Sequence, residues 1–428
     1  MPDHRITELS SGLRIATEHM SSVRSAALGF FVATGSRGET VEEAGLSHFL
    51  EHLLFRGTDR FASAEIDQLF DGMGAELNAG TDKESTTVYA RMLDQHLPRA
   101  FDVIADMVWR PAFRDVDPER EVVLEEIAMY EDDPQDTVFD VLGEAVFGGH
   151  PLGRPVIGRA TVISSVSRRA IAAYHRAAYA HDNVVVAAAG NVTHERLLEL
   201  LAARVPATEV PVRRARKRFG RPPAPGYRFE RRPTEQYHVC LGAPGISRSD
   251  ERRFAASLLD SILGGSASSR LFQEIREKHG MAYSVYSFAS QYFDTGQVGL
   301  YVGTREDNLV PCLEIVAREV ADVAAGNVRP GELERAKENL KGRMLLSLES
   351  TSNRMSRLGK ALVTGAELLS LDEIVARIDA VTGDEIAALA GDLLRLDRLS
   401  AAGIGPSEAR FRAAVQRVNP ALVGRQAA

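Results

Sequence analysis

Beyond residue 226 the chain runs again through a series of segments it has already used. In the first half an apolar strand (26–33) is followed by a short helix around His48 and a helix over 62–73 that stops at Gly74. A strand pair (75–78 and 86–92), an amphipathic helix (97–109) and a helix from 119 to about 131, opened by Asp117-Pro118, complete the series. The second half repeats it with strand 237–242, helix 253–263, helix 270–279 stopped by Gly280, strands 285–289 and 296–302, helix 309–323, and a long helix behind Pro330-Gly331. Apolar spacing of three to four residues marks the helices, short apolar runs mark the strands, and Pro or Gly marks the breaks. Such self-similarity means one folding unit used twice. The expected class is α+β, with two homologous α/β units in tandem, each a mainly antiparallel sheet covered by helices.

The length agrees. One hydrophobic core seldom grows beyond about 250–300 residues, and this chain has 428. A net charge of −8 argues against nonspecific nucleic-acid binding, which runs on positive charge. The two cysteines, Cys240 and Cys312, are too few for a disulfide framework and lack metal-ligand spacing, so they read as buried apolar fillers. No signal pattern opens the sequence and no stretch is apolar enough to span a bilayer, so a cytoplasmic protein without a membrane partner is expected. Residues 205–225, rich in Pro, Arg and Lys, break the pattern. They read as a solvated linker, with a basic patch for substrate or partner as the alternative.

The first-half helix at 45–55 carries His-x-x-Glu-His. Residues four apart lie one helical turn above each other, so His48 and His52 face the same way, with Glu51 beside them. At about 100° per residue, Leu46, Phe49, Leu50, Leu53 and Leu54 fall on the opposite side. An apolar back and a metal-ready front suit a helix that is anchored in a core and faces a cleft. The plainer alternative is a solvated face with two incidental histidines. The matching second-half segment, 254–260, has no histidine, so only the first half can hold a metal in this way.

A zinc site with two histidines needs at least one more protein ligand. On the helix beginning near 119, seven-residue spacing sets Glu119 and Glu126 on one stripe with Val122, Val123, Met129 and Tyr130, while Glu121 and Glu125 face away. A carboxylate in an apolar stripe must be paired or bind a metal. Glu126 is taken as the ligand and Glu119 as the carboxylate that orients a ligand histidine. Periodicity alone does not choose between them, and ion pairs with arginine are the alternative for both.

With these residues in place the chain resembles the pitrilysin/insulinase family of inverted-motif zinc peptidases. It is most similar to the half-length branch that includes mitochondrial processing peptidase and bacterial relatives. His48, Glu51, His52, Glu119 and Glu126 match the family motif, in which the later glutamate of the pair is the ligand. The resemblance also covers Phe55-Arg56-Gly57-Thr58, Asn78-Ala79, His150-Pro151-Leu152-Gly153, and Ser269 to Arg276 with Gly280 and Tyr283. It implies one zinc ion per chain and a processing-peptidase-like fold. It further implies Arg276 and Tyr283 as donors to the oxyanion, and a strand at Asn78 and Ala79 on which a peptide is laid as an added β-strand. A homodimer, or a heterodimer with a related subunit, would complete the chamber.

The expected organisation is a zinc-binding catalytic domain (1–209), a Pro/Arg-rich linker (210–226) and a second homologous domain without the metal motif (227–428). The expected function is zinc-dependent endopeptidase action on extended, unfolded peptides or presequences, with Glu51 as general base. The alternatives are a partner subunit that binds peptides without cutting them, and a zinc hydrolase acting on another substrate class. Leu263 to Ser269 lacks the Lys-Ser/Thr of a phosphate loop and reads as a turn, and Trp109 reads as core.

Overall fold

The computed structural model describes residues 4–204, 218, 220 and 223–424. In chain order the first elements are β1 (His4–Glu8), β2 (Arg14–His19), β3 (Ser25–Val32), α1 (Leu46–Leu54), α2 (Ser63–Met73), β4 (Glu76–Thr81), β5 (Thr86–Leu93) and α3 (Leu97–Trp109). Next come α4 (Val116–Asp132), α5 (Pro134–Phe147), α6 (Ala160–Ile163), α7 (Arg168–Ala178), β6 (Val184–Gly190), α8 (His194–Ala202), β7 (Tyr227–Arg231) and β8 (Tyr237–Gly245). The rest is α9 (Arg253–Leu263), β9 (Ala282–Gln291), β10 (Gly296–Thr304), α10 (Glu306–Ala324), α11 (Glu332–Ser347), α12 (Thr351–Thr364), α13 (Leu371–Ala380), α14 (Gly383–Leu393), β11 (Ser400–Gly405), α15 (Glu408–Val415) and α16 (Pro420–Gly424). The class is α+β with two α/β units, as the repeat implies.

In the first unit a six-stranded sheet runs β1-β2-β6-β3-β5-β4, with β2 parallel to β6 and every other pair antiparallel. The second unit has five strands, β7-β11-β8-β10-β9, with β7 parallel to β11 and the others antiparallel. Position for position the orders coincide once β1 is set aside. Gly74 and Gly280, which stop the matching helical segments, share the left-handed conformation at φ +59° and +60°. The segment expected as an ordinary helix over 270–279 is wound as a π-helix over Phe272–Lys278.

Both faces of each sheet are covered, which is why β3 and β6 read as unbroken apolar runs. On β3, Leu28 and Phe30 join a core with α1 and α3, while Ala27 and Phe31 join a smaller one with Met355 and Leu358 of α12. On the second sheet, Val239 and Leu241 pack with α9 and α10, and Cys240 and Tyr301 with Val138, Leu142 and Val146 of α5.

These back-face helices correct the sequence-level boundaries. The compact units are Met1–Ala128, Arg154–Lys217 and Leu345–Ser370 for the first, and Met129–Gly153, Arg218–Met344 and Leu371–Ala428 for the second. The halves 1–209 and 227–428 each lend one helix to the other's sheet: α5 covers the second, α12 the first. A sheet that is apolar on both faces needs a layer on each, and the shape of α12 fits. Gly359 lies so close to Phe31 that a Cβ would overlap the ring, and Gly29 is as tight against Met355. Arg354 and Arg357 pair with the buried Glu18 of β2. The linker expected at 210–226 lies for the most part outside the described residues. No helix among the described residues is long and apolar enough to cross a membrane.

Candidate metal centre

Helix α1 is held at its start by Glu39, whose two carboxylate oxygens accept from the backbone N–H groups of Gly45 (2.8 Å) and Ser47 (2.7 Å). Those amides are the otherwise unmatched donors of a helix N-terminus, where negative charge is favoured. Burial raises the Glu39 pKa, and the two amide hydrogen bonds oppose it. Gly45 takes φ +99° because the chain passes Gly158 there, and a Cβ would come within 2.7 Å of its Cα. Leu46, Phe49, Leu50, Leu53 and Leu54 are buried, as the helical wheel predicts.

On the other side of α1 the His48 and His52 rings meet edge to face with centroids 4.7 Å apart. Their Nε2 atoms are 3.2 Å apart, and Glu126 Oε2 lies 3.3 Å from His52 Nε2 and 3.6 Å from His48 Nε2. His52 Nδ1 meets Glu119 Oε1 at 2.9 Å, and the other Glu119 oxygen accepts from Arg56 Nε. An ionised carboxylate only accepts, so Nδ1 carries the proton and His52 Nε2 presents a lone pair. Burial, then the neighbouring His52, lowers the His48 pKa to about 4, which keeps that ring neutral as well. One shared proton could join the two Nε2 atoms. It would leave Glu126 Oε2, buried and without a hydrogen-bond partner, facing two nitrogens. A cation takes all three lone pairs at once. Tetrahedral ligands at about 2.0–2.1 Å from zinc stand roughly 3.3 Å apart, close to the separations found here. His48, His52 and Glu126 are also the one such donor group found among the described residues. The donor set fits zinc.

The expected stripe on α4 is corrected. Val116, Glu119, Val123 and Ile127 are the buried positions, whereas Val122 and Met129 are exposed and the Glu126 side chain is 45% accessible. The core-facing line runs through Glu119, so Glu126 flanks it and reaches the histidines from the margin. Glu119 is the deeply buried carboxylate, matched by Arg56 and His52.

Glu51 lies beside the histidines on α1. Burial raises its pKa and nearby Glu126 adds to this, while a hydrogen bond from Thr81 and the neighbouring His52 ring pull it back. Asn78 and Ala79 occupy β4, the edge strand of this sheet, where the Ala79 N–H donates to the Asn78 side-chain oxygen at 2.8 Å. Arg276 and Tyr283 belong to the second unit and stand together. The guanidinium lies 4.5 Å from the Tyr283 ring centroid and 4.7 Å from that of Phe272, and Tyr283 is 76% exposed.

Sequence reasoning missed Glu39, Thr81 and the role of Arg56. Arg56 lay in a segment already singled out, one turn beyond His52. Thr81 could have been found by alternation, two residues past Ala79 on the same strand. Nothing local marked Glu39, because its contact with α1 depends on how the loop before the helix folds back.

Comparison with known proteins identifies the family. Residues 14–160 match the sequence profile described as insulinase (peptidase family M16), and residues 165–340 that described as the peptidase M16 inactive domain. An uncharacterized zinc protease of Streptomyces coelicolor is 43% identical, covering 94% of this chain and 89% of that protein. One from Bacillus subtilis is 39% identical, covering 90% of this chain and 95% of that protein. In fold, a crystal structure of a peptidase M16 inactive domain from Pseudomonas fluorescens covers 95% of this chain and 98% of its own, with TM-score 0.87 and 24% identity. A protease from Helicobacter pylori covers 95% and 100%, with TM-score 0.88 and 20% identity. With identity of this level along nearly its whole length, the chain belongs to the pitrilysin/insulinase family of peptidases.

Proposed function

We propose that this chain is a zinc-dependent endopeptidase that hydrolyses extended, unfolded peptides. The observation that carries this reading is the convergence of His48, His52 and Glu126 donor atoms with Glu51 alongside. Relatives named zinc proteases support it. The profile described as inactive begins at residue 165, beyond every member of that set.

His48, His52 and Glu126 hold one zinc ion, and Glu119 fixes the tautomer of His52. Bound zinc would supply a Lewis acid that polarises the scissile carbonyl and acidifies water. Glu51 takes the proton from the attacking water and passes it to the leaving amine, for which a carboxylate with a raised pKa is suited. A peptide added along β4 would pair through main-chain groups with little sequence preference. It would draw the Ala79 N–H away from the Asn78 side chain. Arg276 and Tyr283 are assigned the oxyanion through the family resemblance. A dimer, homomeric or with a related subunit, and a cytoplasmic setting belong to the same reading.

Metal analysis with cleavage of a quenched peptide tests it. About one zinc per chain and turnover that a chelator abolishes and zinc restores are expected. Stoichiometric zinc without cleavage, alone or mixed with a related subunit, would favour a peptide-binding partner. Cleavage of small esters but not peptides would favour another hydrolase.

Two further outcomes are expected. Glu119→Gln should weaken zinc binding about 10–100-fold in a chelator-competition titration, because an amide cannot accept from His52 and Arg56 together. Unchanged affinity would remove Glu119 from the site. Arg276→Ala and Tyr283→Phe should lower peptide turnover with zinc content intact, and zinc loss in either would contradict the oxyanion role.

A further inference from the structure

Thr81 closes β4, and its hydroxyl donates to Glu51 Oε2 at 2.5 Å. Two other oxygens are near, the Ser47 carbonyl at 3.5 Å and Thr86 Oγ1 at 3.3 Å. Thr86 Oγ1 donates to the Thr34 carbonyl at 3.1 Å, so its own proton is committed. The single Thr81 proton therefore goes to the carboxylate, the nearest acceptor and the charged one, in a contact of the strong charge-assisted kind. Among the described residues no other hydrogen bond fixes the Glu51 side chain. A glutamate has three rotatable bonds, and without this anchor its carboxylate would sample several orientations. Thr81 is two residues beyond Ala79, on the same face of the edge strand.

We propose that Thr81 is a positioning residue for hydrolysis, gripping Glu51 by Oε2 so that Oε1 is left to accept the proton of the attacking water. It also joins the base to the end of the strand on which the peptide lies, so the strand that receives substrate aims the group that attacks it. The inference rests on Glu51 being the general base.

The test uses the full chain loaded with zinc and a quenched peptide. Thr81→Val keeps the shape and the β-branch and removes only the hydroxyl. A base displaced by even about 1 Å costs on the order of 10²-fold, so kcat should fall roughly 10–100-fold in this variant, with KM changed less than about twofold. Zinc content and melting temperature should stay at wild-type values, and Thr81→Ser should restore most of the rate. Added to Glu51→Gln, Thr81→Val should cost nothing further, because the two act as one unit. Wild-type kcat in Thr81→Val, a Thr81→Ser variant as slow as the valine, or loss of zinc in the valine variant would each overturn the proposal. The two readings separate cleanly. Full activity in Glu51→Gln removes the general base and this inference with it. An inactive Glu51→Gln beside a normal Thr81→Val removes only the role of Thr81.

Discussion

Glu51→Gln is expected to lower kcat for peptide cleavage by about 10²–10⁴-fold, the usual contribution of a positioned general base, while zinc stays bound. The amide has nearly the size of the carboxylate, and its oxygen can still accept from Thr81 Oγ1. It cannot take a proton. The three proposed ligands are untouched, so metal content measured on the same sample should match the wild type. A fall in rate with KM and zinc unchanged isolates proton transfer from binding. A Glu51→Gln variant that cuts at the wild-type rate would show that some other group takes the proton.

Gly359→Val is expected to damage the first unit on the sheet face opposite α1. Helix α12 lies on β3 so closely that any Cβ at 359 would overlap the ring of Phe31. Phe31 is fully buried and already tight against Gly29, so it cannot turn away. Overpacking of this kind costs about 1–3 kcal/mol and sometimes more. Because the overlap is with a fixed ring, the upper end is expected. The apparent melting temperature should drop by several degrees, and limited proteolysis should reach residues 345–370. Gly342→Ala in α11 is the control, since nothing lies within 4 Å of a Cβ there. It should be neutral or gain about 0.5–1 kcal/mol from helix propensity. Equal melting curves for both variants would mean that α12 does not depend on that close approach.

Much of this architecture was legible because it is local. The boundaries of α9 and α3 follow from apolar spacing, and α8 is capped locally by Thr193, whose hydroxyl accepts from the Arg196 N–H. The pairing of Gly74 with Gly280 is one local mark of the repeat, beside the matching strands and helices. His48, Glu51 and His52 are legible for the same reason, lying within two turns of one helix. What escaped was set by contacts between segments distant in sequence. No periodicity shows that α5 and α12 cover the sheets of opposite halves, since an apolar stripe states that a partner exists but not which one. The α4 stripe was drawn through the wrong apolar residues: Glu119 and Val123 are buried as read, but Val122 and Met129 are exposed and Ile127 continues the line. The burial of Glu119 depends on Arg56 and His52, which arrive from another element.

The exchange of α5 and α12 fixes a schedule for the growing chain. The strands of the first sheet are complete once β6 has emerged, at Gly190, yet the helix that covers one of its faces ends at Thr364. At about 5–20 residues per second, that face waits roughly 10–30 s for its cover. Through that interval Ala27, Phe31, Val185 and Ala187 are open to any apolar chain nearby. A message severed between the halves would leave each product with a helix that lacks its sheet and a sheet that lacks its helix. The ribosome must pass well into the second unit before the metal-binding one is whole.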